Sequence, residues 1–284
     1  MTVFRAFALA FSISAALTGQ LSRPGAFETV DIPSGNLHLR AFLWKPAGSG
    51  PFPAILFNHG SGGADAQHTA GYTMTEAAER LGQLFVERGY AFLYPCRRGY
   101  GLSADQGPYL QDLLLSEEKA RGTEARNHLQ FVLMTTDYLD DVMAALSYLK
   151  RVPGIDARRL GMAGHSFGGQ LTLLAAERDT SLRAAISFAG AAGSWDRSSE
   201  TRERLIAAVR GISAAVMLVQ AANDYSTAPS IALRDELERL HKPHVVKIYP
   251  AVGQTADEGH NLLYLAVPRW QNDVFKFLDE RLRR

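Results

Sequence analysis

Short apolar runs alternate with amphipathic stretches along most of this chain. Runs of five to seven mainly apolar residues are typical of buried strands, and they occur at 53–58, 90–95, 159–163, 184–189, 214–220 and 245–249. Segments with helical periodicity lie between or after them, at 73–88, 127–151, 170–176, 200–210, 229–240 and from Pro268 onward. Strands that alternate with helices predict a parallel sheet with helices on both faces.

The first two strands are predicted to differ from the rest. Residues 28–33 and 37–45 flank Ser34-Gly35-Asn36, a sequence typical of a hairpin turn. The sheet should therefore begin antiparallel and continue parallel, with about eight strands in all.

One segment, residues 97–126, breaks the alternation. It is polar, contains glycine and shows no clear periodicity. Long connections of this kind in a compact domain are usually functional or mobile. We expect this segment to shape a substrate pocket, as a wall or as a lid.

Composition limits the function classes. The chain has 284 residues, is 46% hydrophobic, and carries 30 basic and 29 acidic residues. A near-zero charge gives no electrostatic reason to expect nucleic acid or an anionic membrane surface as a partner. With no internal repeat or linker, residues 19–284 are predicted to form one domain. Cys96 is the only cysteine, so no intrachain disulfide can form.

The N-terminus resembles an export signal. Arg5 precedes an apolar run over residues 6–17, and Ala16-Leu17-Thr18 resembles a signal-peptidase site. The run is too short to span a bilayer, so stable membrane insertion is not expected. We expect a signal peptide at 1–18 and a periplasmic or secreted protein. A cytoplasmic protein with an uncleaved tail is the alternative.

The chemistry is predicted to centre on Ser166. Gly164-His165-Ser166-Phe167-Gly168-Gly169 lies between a predicted strand and a predicted helix, and it fits the G-x-S-x-G nucleophile turn. Such a turn strains the serine backbone and exposes its hydroxyl above the sheet, while the helix passes so close to the strand that glycine is needed at positions 164 and 168. An incidental serine in a glycine-rich turn is the simpler alternative.

A serine nucleophile needs a base and an orienting carboxylate. Asp224 follows the strand at 214–220, and His260 follows the last strand, so the order is Ser, Asp, His. Since ligands of a parallel sheet gather at the carboxyl ends of its strands, the three side chains should converge. Asp196 is a rival acid, and Asp224 could instead be a helix-capping residue.

An oxyanion hole and the absence of a cofactor complete the predicted site. The backbone N–H of Phe167 should supply one donor, and the loop 59–63 the other, with Ser61 the first choice and Gly62 the second. No metal-ligand spacing occurs. The G-x-G-x-x-A pattern at 99–104 leads into a polar loop containing Pro108, so no nucleotide cofactor is expected.

These features resemble the α/β-hydrolase superfamily over residues 27–284. Within it, five motifs are most similar to the branch of dienelactone-hydrolase-like proteins and prolyl-oligopeptidase-type peptidases: HGSGG at 59–63, RRGYGLS at 97–103, GHSFGG at 164–169, NDYSTAP at 223–229 and GHN at 259–261. Dienelactone hydrolases proper use a cysteine nucleophile, so Ser166 departs from them. The peptidases carry a large propeller, for which this chain has no room.

The resemblance implies a serine hydrolase of the α/β-hydrolase fold that cleaves small carboxylic esters through an acyl-enzyme. Tyr100 and Trp195, in the segments 97–126 and 190–200, are expected to contact the substrate. A peptidase or amidase with the same three residues, and a catalytically silent binding module, are the alternatives.

Overall fold

A computed structural model of the chain describes residues 27–62 and 72–283. Its strands are β1 (Glu28–Ser34), β2 (Leu37–Trp44), β3 (Phe52–Asn58), β4 (Ala91–Cys96), β5 (Ile155–His165), β6 (Ala184–Phe188), β7 (Ala215–Ala221) and β8 (His244–Tyr249). Its α-helices are α1 (Met74–Glu87), α2 (Leu110–Thr135), α3 (Asp137–Leu149), α4 (Phe167–Arg178), α5 (Ser199–Gly211), α6 (Ala228–Arg239), α7 (Ala256–His260), α8 (Leu262–Leu265) and α9 (Val267–Leu282). The expected signal peptide, residues 1–18, lies outside the described residues.

The described strands form one sheet in the order β1-β2-β4-β3-β5-β6-β7-β8. Only the pairs β1–β2 and β2–β4 are antiparallel, and the other five are parallel. The predicted architecture, a mostly parallel sheet of about eight strands that begins with a hairpin, is therefore confirmed. The carboxyl ends of β3, β4, β5, β6 and β7 all reach the same edge of the sheet, because parallel strands run in one direction.

Two sets of helices bury the sheet. Helices α1 and α9 pack against each other through Phe85 and Phe275, whose ring centroids lie 5.1 Å apart, and they cover one face. Helices α3, α4, α5 and α6 pack in a row over the other face. Strands such as β3 and β7 are apolar along nearly their whole length because both of their faces are covered.

The segment 97–126 is more regular than the sequence indicates. It contains a 3-10 helix at Gly101–Gln106 and the first half of α2, which begins at Leu110 and bends at Gly122, where φ is 86°. Nearly all of α2 is exposed or half-buried, and only Leu110, Leu114 and Met134 are buried along it. A helix with so little buried surface needs no continuous apolar stripe, which explains why periodicity misses its first half.

Candidate active site

Ser166 stands at the turn between β5 and α4. Its φ and ψ are 55° and −118°, a conformation that costs a non-glycine residue energy and that occurs mainly at functional sites. The turn is held because the Ser166 N–H donates to Phe188 O at 2.8 Å and Ser166 O accepts from the Gly169 N–H at 3.0 Å. The turn leaves the hydroxyl partly exposed at the edge of the sheet where the strands end.

The glycines beside Ser166 permit this turn. A Cβ at Gly164 would lie 2.2 Å from Gly168 O, and a Cβ at Gly168 would lie 2.0 Å from Asn58 O. Both contacts are with backbone atoms, which cannot move aside without shifting β3 or α4. The close approach of helix and strand expected from the sequence is therefore present in the structure.

Ser166, His260 and Asp224 form one hydrogen-bonded line. The Ser166 hydroxyl lies 2.9 Å from His260 Nε2, and His260 Nδ1 lies 2.8 Å from Asp224 Oδ1. The Asp224 carboxylate fixes the tautomer, because Nδ1–H must donate to it and Nε2 is then free to accept the serine proton. His260 is the last residue of the one-turn helix α7, and Asp224 lies just beyond β7. The structure thus brings together the three side chains that the sequence selects.

Asp224 is fixed by two further donors. The Tyr225 N–H donates to Asp224 Oδ1 at 2.7 Å, and Gln220 Nε2 donates to Asp224 Oδ2 at 2.9 Å. The Gln220 amide also donates to Ser226 O at 2.9 Å, so the amide nitrogen faces two acceptors and its orientation is settled. Sequence analysis did not select Gln220. Its signal was a lone polar residue near the end of an apolar strand, four residues before the acid.

His165 packs behind His260 and hydrogen-bonds to its backbone. His165 Nε2–H donates to His260 O at 2.9 Å, and the two rings lie 5.1 Å apart. Burial, and then the nearby His260 charge, lower the pKa of His165 from its ordinary value of 6.5 to about 3. His165 is therefore neutral in the folded protein at every pH above about 3.

The lowered pKa of His165 predicts that the folded protein loses stability as the pH falls. Between its unfolded pKa near 6.5 and its folded pKa near 3, only the unfolded chain binds the proton, so stability falls as pH falls. His165 alone should cost about 2 kcal/mol of unfolding free energy between pH 7 and pH 5. Urea titrations of wild type and of His165→Gln, which retains a donor for His260 O, measure the difference. An equal pH dependence in both proteins would contradict the prediction.

The loop after β3 borders Ser166 on the other side. A Cβ at Gly60 would lie 3.5 Å from Ser166 Cβ, so this loop and the serine are in contact. Ser61 O accepts from Tyr100 Oη at 3.1 Å, from Gln111 Nε2 at 3.1 Å and from Tyr109 Oη at 3.4 Å. Among the described residues, no hydrogen-bond acceptor is found for the N–H groups of Ser61, Gly62 or Phe167. These donors are therefore available to a ligand.

A cleft of about 360 Å³ opens over Ser166. Its volume lies within the usual range of small-molecule sites. The wall opposite the sheet comes from α2, through Gln111, Arg126 and Gln130, so the segment 97–126 does border the cleft. The rest of its lining is also largely polar and includes Gln170, Ser194, Arg197, Tyr225, Asp257 and Asn261.

Three residues considered at the sequence level lie elsewhere. Tyr100 is fully buried and is not part of the cleft lining; it supports the loop after β3 from behind, through its hydrogen bond to Ser61 O and its ring contact with His59. Trp195 is 5% exposed and is not part of the cleft lining. Asp196, the rival acid, is exposed at the surface, and it is Asp224 that contacts His260.

Within residues 27–62 and 72–283, no group of three or more His, Cys, Asp or Glu side chains is placed to hold a metal ion. In the same residues, no helix is both long enough and apolar enough to cross a membrane.

Comparison with known proteins yields one family match. The family described as the dienelactone hydrolase family matches residues 39–260. This match confirms the resemblance inferred from the motifs. The quorum-quenching protein AidA of Acinetobacter baumannii is 30% identical over 164 residues, which are 58% of this chain and 44% of that protein. The chain thus matches less than half the length of this curated relative.

Solved structures share the fold. Acylaminoacyl peptidase from Pyrococcus horikoshii aligns with a TM-score of 0.65 and 20% identity, over 91% of this chain and 42% of the peptidase. A putative dienelactone hydrolase from Klebsiella pneumoniae aligns with a TM-score of 0.65 and 18% identity, over 91% of this chain and 98% of the other. At these identities the similarity shows the α/β-hydrolase fold alone.

Proposed function

Since this chain belongs to the dienelactone hydrolase family and is an α/β-hydrolase, we propose that it cleaves carboxylic esters of small molecules through an acyl-enzyme. The observation that carries the proposal is the line from Ser166 Oγ through His260 to Asp224, with hydrogen bonds of 2.9 and 2.8 Å. A hydroxyl in contact with a neutral imidazole can lose its proton as it attacks, and this makes serine an effective nucleophile.

Each residue has a defined part in the proposed reaction. His260 Nε2 takes the Ser166 proton while Oγ bonds to the ester carbonyl carbon, and Asp224 stabilises the imidazolium that forms. The imidazolium then protonates the departing alcohol as its bond to carbon breaks. A water molecule, deprotonated by His260, attacks the acyl-enzyme and releases the acid and free Ser166.

The carbonyl oxygen becomes an oxyanion during both attacks. We assign its stabilisation to the N–H of Phe167, at the N-terminus of α4, and to the N–H of Ser61 in the loop after β3. The Phe167 N–H is one of the unpaired donors at the start of a helix, where the dipole also favours negative charge. Each such donor is worth about 3 to 4 kcal/mol in the transition state.

Esters and amides distinguish this proposal from the peptidase alternative. Purified protein should hydrolyse p-nitrophenyl acetate with a kcat/KM at least about 100-fold above that for alanine p-nitroanilide, since the leaving alcohol needs less protonation than an amine. A fluorophosphonate should label wild type and leave Ser166→Ala unlabelled. Faster cleavage of the anilide would indicate a peptidase. Absence of labelling in wild type would indicate a binding module.

The cleft favours short or polar acyl groups. Arg126 pairs weakly with Glu118 at 3.6 Å, and Arg197 has no carboxylate within 4 Å among the described residues. Partial desolvation and then the charge of Arg126 lower the pKa of Arg197, while the charge of Glu118 raises it, so the two guanidinium groups lie near each other and share this one carboxylate. Two cations with one weak partner favour an anionic group on the substrate.

An ester panel tests this preference. We expect kcat/KM for p-nitrophenyl acetate to exceed that for the octanoate by at least about 10-fold, since the polar lining offers little apolar surface to a long chain. Mono(4-nitrophenyl) adipate should be about 5-fold better than its neutral methyl ester, and Arg197→Gln should remove that advantage. Equal rates for the adipate pair in wild type, or a preference for octanoate, would contradict the assignment.

A further inference from the structure

Arg97 is a buried cation at the edge of the candidate site. It follows β4 directly, and it is 1% exposed. No carboxylate of the described residues lies within 4 Å of its guanidinium, whereas the adjacent Arg98 pairs with Asp137 at 3.0 Å and with Asp141 at 2.7 Å. Burying a charge without a counter-ion costs free energy, and a residue such as methionine would avoid that cost. What holds Arg97 in this position is therefore set by its other contacts.

The Arg97 guanidinium hydrogen-bonds to the backbone of the loop after β3. Arg97 Nη1 donates to His59 O at 2.8 Å, and Arg97 Nη2 donates to Gly60 O at 2.8 Å. Gly60 O also accepts from His59 Nδ1–H at 2.8 Å, and His59 Nε2 accepts from the Arg97 N–H at 3.3 Å. Burial, and then the Arg97 charge, keep the pKa of His59 well below its ordinary value, so the histidine is neutral. Arg97 is thus the charged member of this cluster.

These bonds fix the direction of a neighbouring donor. Gly60 C=O and the Ser61 N–H belong to one trans peptide, in which they point in opposite directions. Holding Gly60 O against Arg97 therefore turns the Ser61 N–H away from Arg97. This peptide lies against Ser166, because a Cβ at Gly60 would be 3.5 Å from Ser166 Cβ.

The same guanidinium contacts the other proposed donor residue. Its carbon lies 5.6 Å from the ring centroid of Phe167, 5.4 Å from that of Tyr100 and 5.8 Å from that of Tyr138. Aromatic faces stabilise a cation without neutralising it. A carboxylate in place of these rings would cancel the positive potential of Arg97 at the site. The rings do not cancel it, and in a low-dielectric environment the potential acts strongly.

We propose that Arg97 is a positioning residue of the oxyanion hole. It holds the Gly60–Ser61 peptide so that the Ser61 N–H faces the substrate oxygen, and its charge, which no described carboxylate contacts within 4 Å, favours the oxyanion. This inference rests on the proposed serine-hydrolase function. It predicts that Arg97 matters in the transition state and little in the binding of neutral ester.

Paired substitutions at Arg97 and Arg98 test the inference. Arg97→Met removes both the charge and the hydrogen bonds to His59 O and Gly60 O. It should lower kcat for p-nitrophenyl acetate about 100-fold, with KM within about 3-fold of wild type. Arg97→Lys keeps the charge but loses the two-pronged geometry, and should lower kcat about 10-fold. Arg98→Met breaks a partly buried ion pair outside the cleft, so it should lower Tm while kcat stays within about 3-fold.

The inhibition constant of a trifluoromethyl ketone distinguishes a role in oxyanion stabilisation from a purely structural role. Ser166 Oγ adds to its carbonyl carbon, His260 takes the hydroxyl proton, and the ketone oxygen becomes an anion in the hole. Its Ki should rise in Arg97→Met and Arg97→Lys in proportion to the loss of kcat, and it should stay near the wild-type value in Arg98→Met.

The same experiments separate the role of Arg97 from the proposed serine-hydrolase function. If fluorophosphonate labels wild type but not Ser166→Ala, and folded Arg97→Met keeps kcat and ketone Ki within about 3-fold of wild type, the role of Arg97 is excluded and the serine hydrolase stands. If wild type is neither labelled nor active on esters, both fail together. Should Arg97→Met not fold, the same criteria applied to Arg97→Lys decide.

Discussion

Ser166→Ala is expected to lower kcat for p-nitrophenyl acetate by at least about 10⁴-fold, because no other hydroxyl occupies the end of the His260–Asp224 line. The residual rate would come from the proposed oxyanion donors and from binding, which the substitution leaves in place. Alanine also fits the turn. Among the described residues the Ser166 hydroxyl bonds to His260 Nε2, a side-chain atom, and not to the backbone that forms the turn. Steady-state kinetics with background subtraction measure the effect.

A serine outside the cleft provides the matched control. Ser230 is buried in α6, and Ser230→Ala should keep kcat within about 3-fold of wild type. Circular dichroism and Tm should be alike for wild type and Ser166→Ala. A Ser166→Ala protein that is folded and retains more than about 1% of the wild-type kcat would rule out Ser166 as the nucleophile.

Asp224→Asn is expected to lower kcat/KM about 10³- to 10⁴-fold at neutral pH. The asparagine amide would present N–H groups to His260 Nδ1, so the imidazole would move its own proton to Nε2 and could no longer accept one from Ser166. Gln220 Nε2, which donates to the other oxygen, would oppose an amide nitrogen there and so favour this wrong orientation, whereas the Tyr225 N–H would face the amide nitrogen once it is turned toward His260. In either orientation the amide nitrogen meets a donor, so the substitution also weakens the hold on the side chain. Kinetics on the same ester measure the loss.

Asp196→Asn separates Asp224 from its rival. The Asp196 carboxylate is exposed and lies outside the cleft lining, so this variant should keep kcat/KM within about 2-fold of wild type. A large loss in Asp196→Asn with retained activity in Asp224→Asn would exchange the two assignments and would require a different arrangement of His260.

The sequence is most informative where one local pattern has a single structural solution. Gly164 and Gly168 could be assigned without coordinates, because a strand that turns directly into a helix leaves no space for a Cβ beside the turn. The hairpin around Gly35, the helix at 73–88 and the position of His260 beyond the last strand followed from equally local signals. In these places the residues that determine the structure are neighbours along the chain.

The sequence is least informative where a residue acts through distant partners. Tyr100 and Trp195 were selected as aromatic residues near the site, yet Tyr100 lies behind the loop it supports and Trp195 lies outside the cleft lining. Gln111 and Arg126 lie in the segment 97–126 that the sequence marks as a pocket element, but its polar pattern does not indicate which of its side chains reach the cleft.

The sequence by itself determined the fold, the turn at Ser166 and the order of the three candidate catalytic residues, since each depends on the spacing of apolar and small residues along a few turns or strands. Only the tertiary structure decided which carboxylate faces His260, what lines the cleft, and that Arg97 grips the Gly60 carbonyl from another strand. The physical reason is that hydrogen bonds act over about 3 Å in a defined direction, and which groups meet at that distance depends on how separate elements pack.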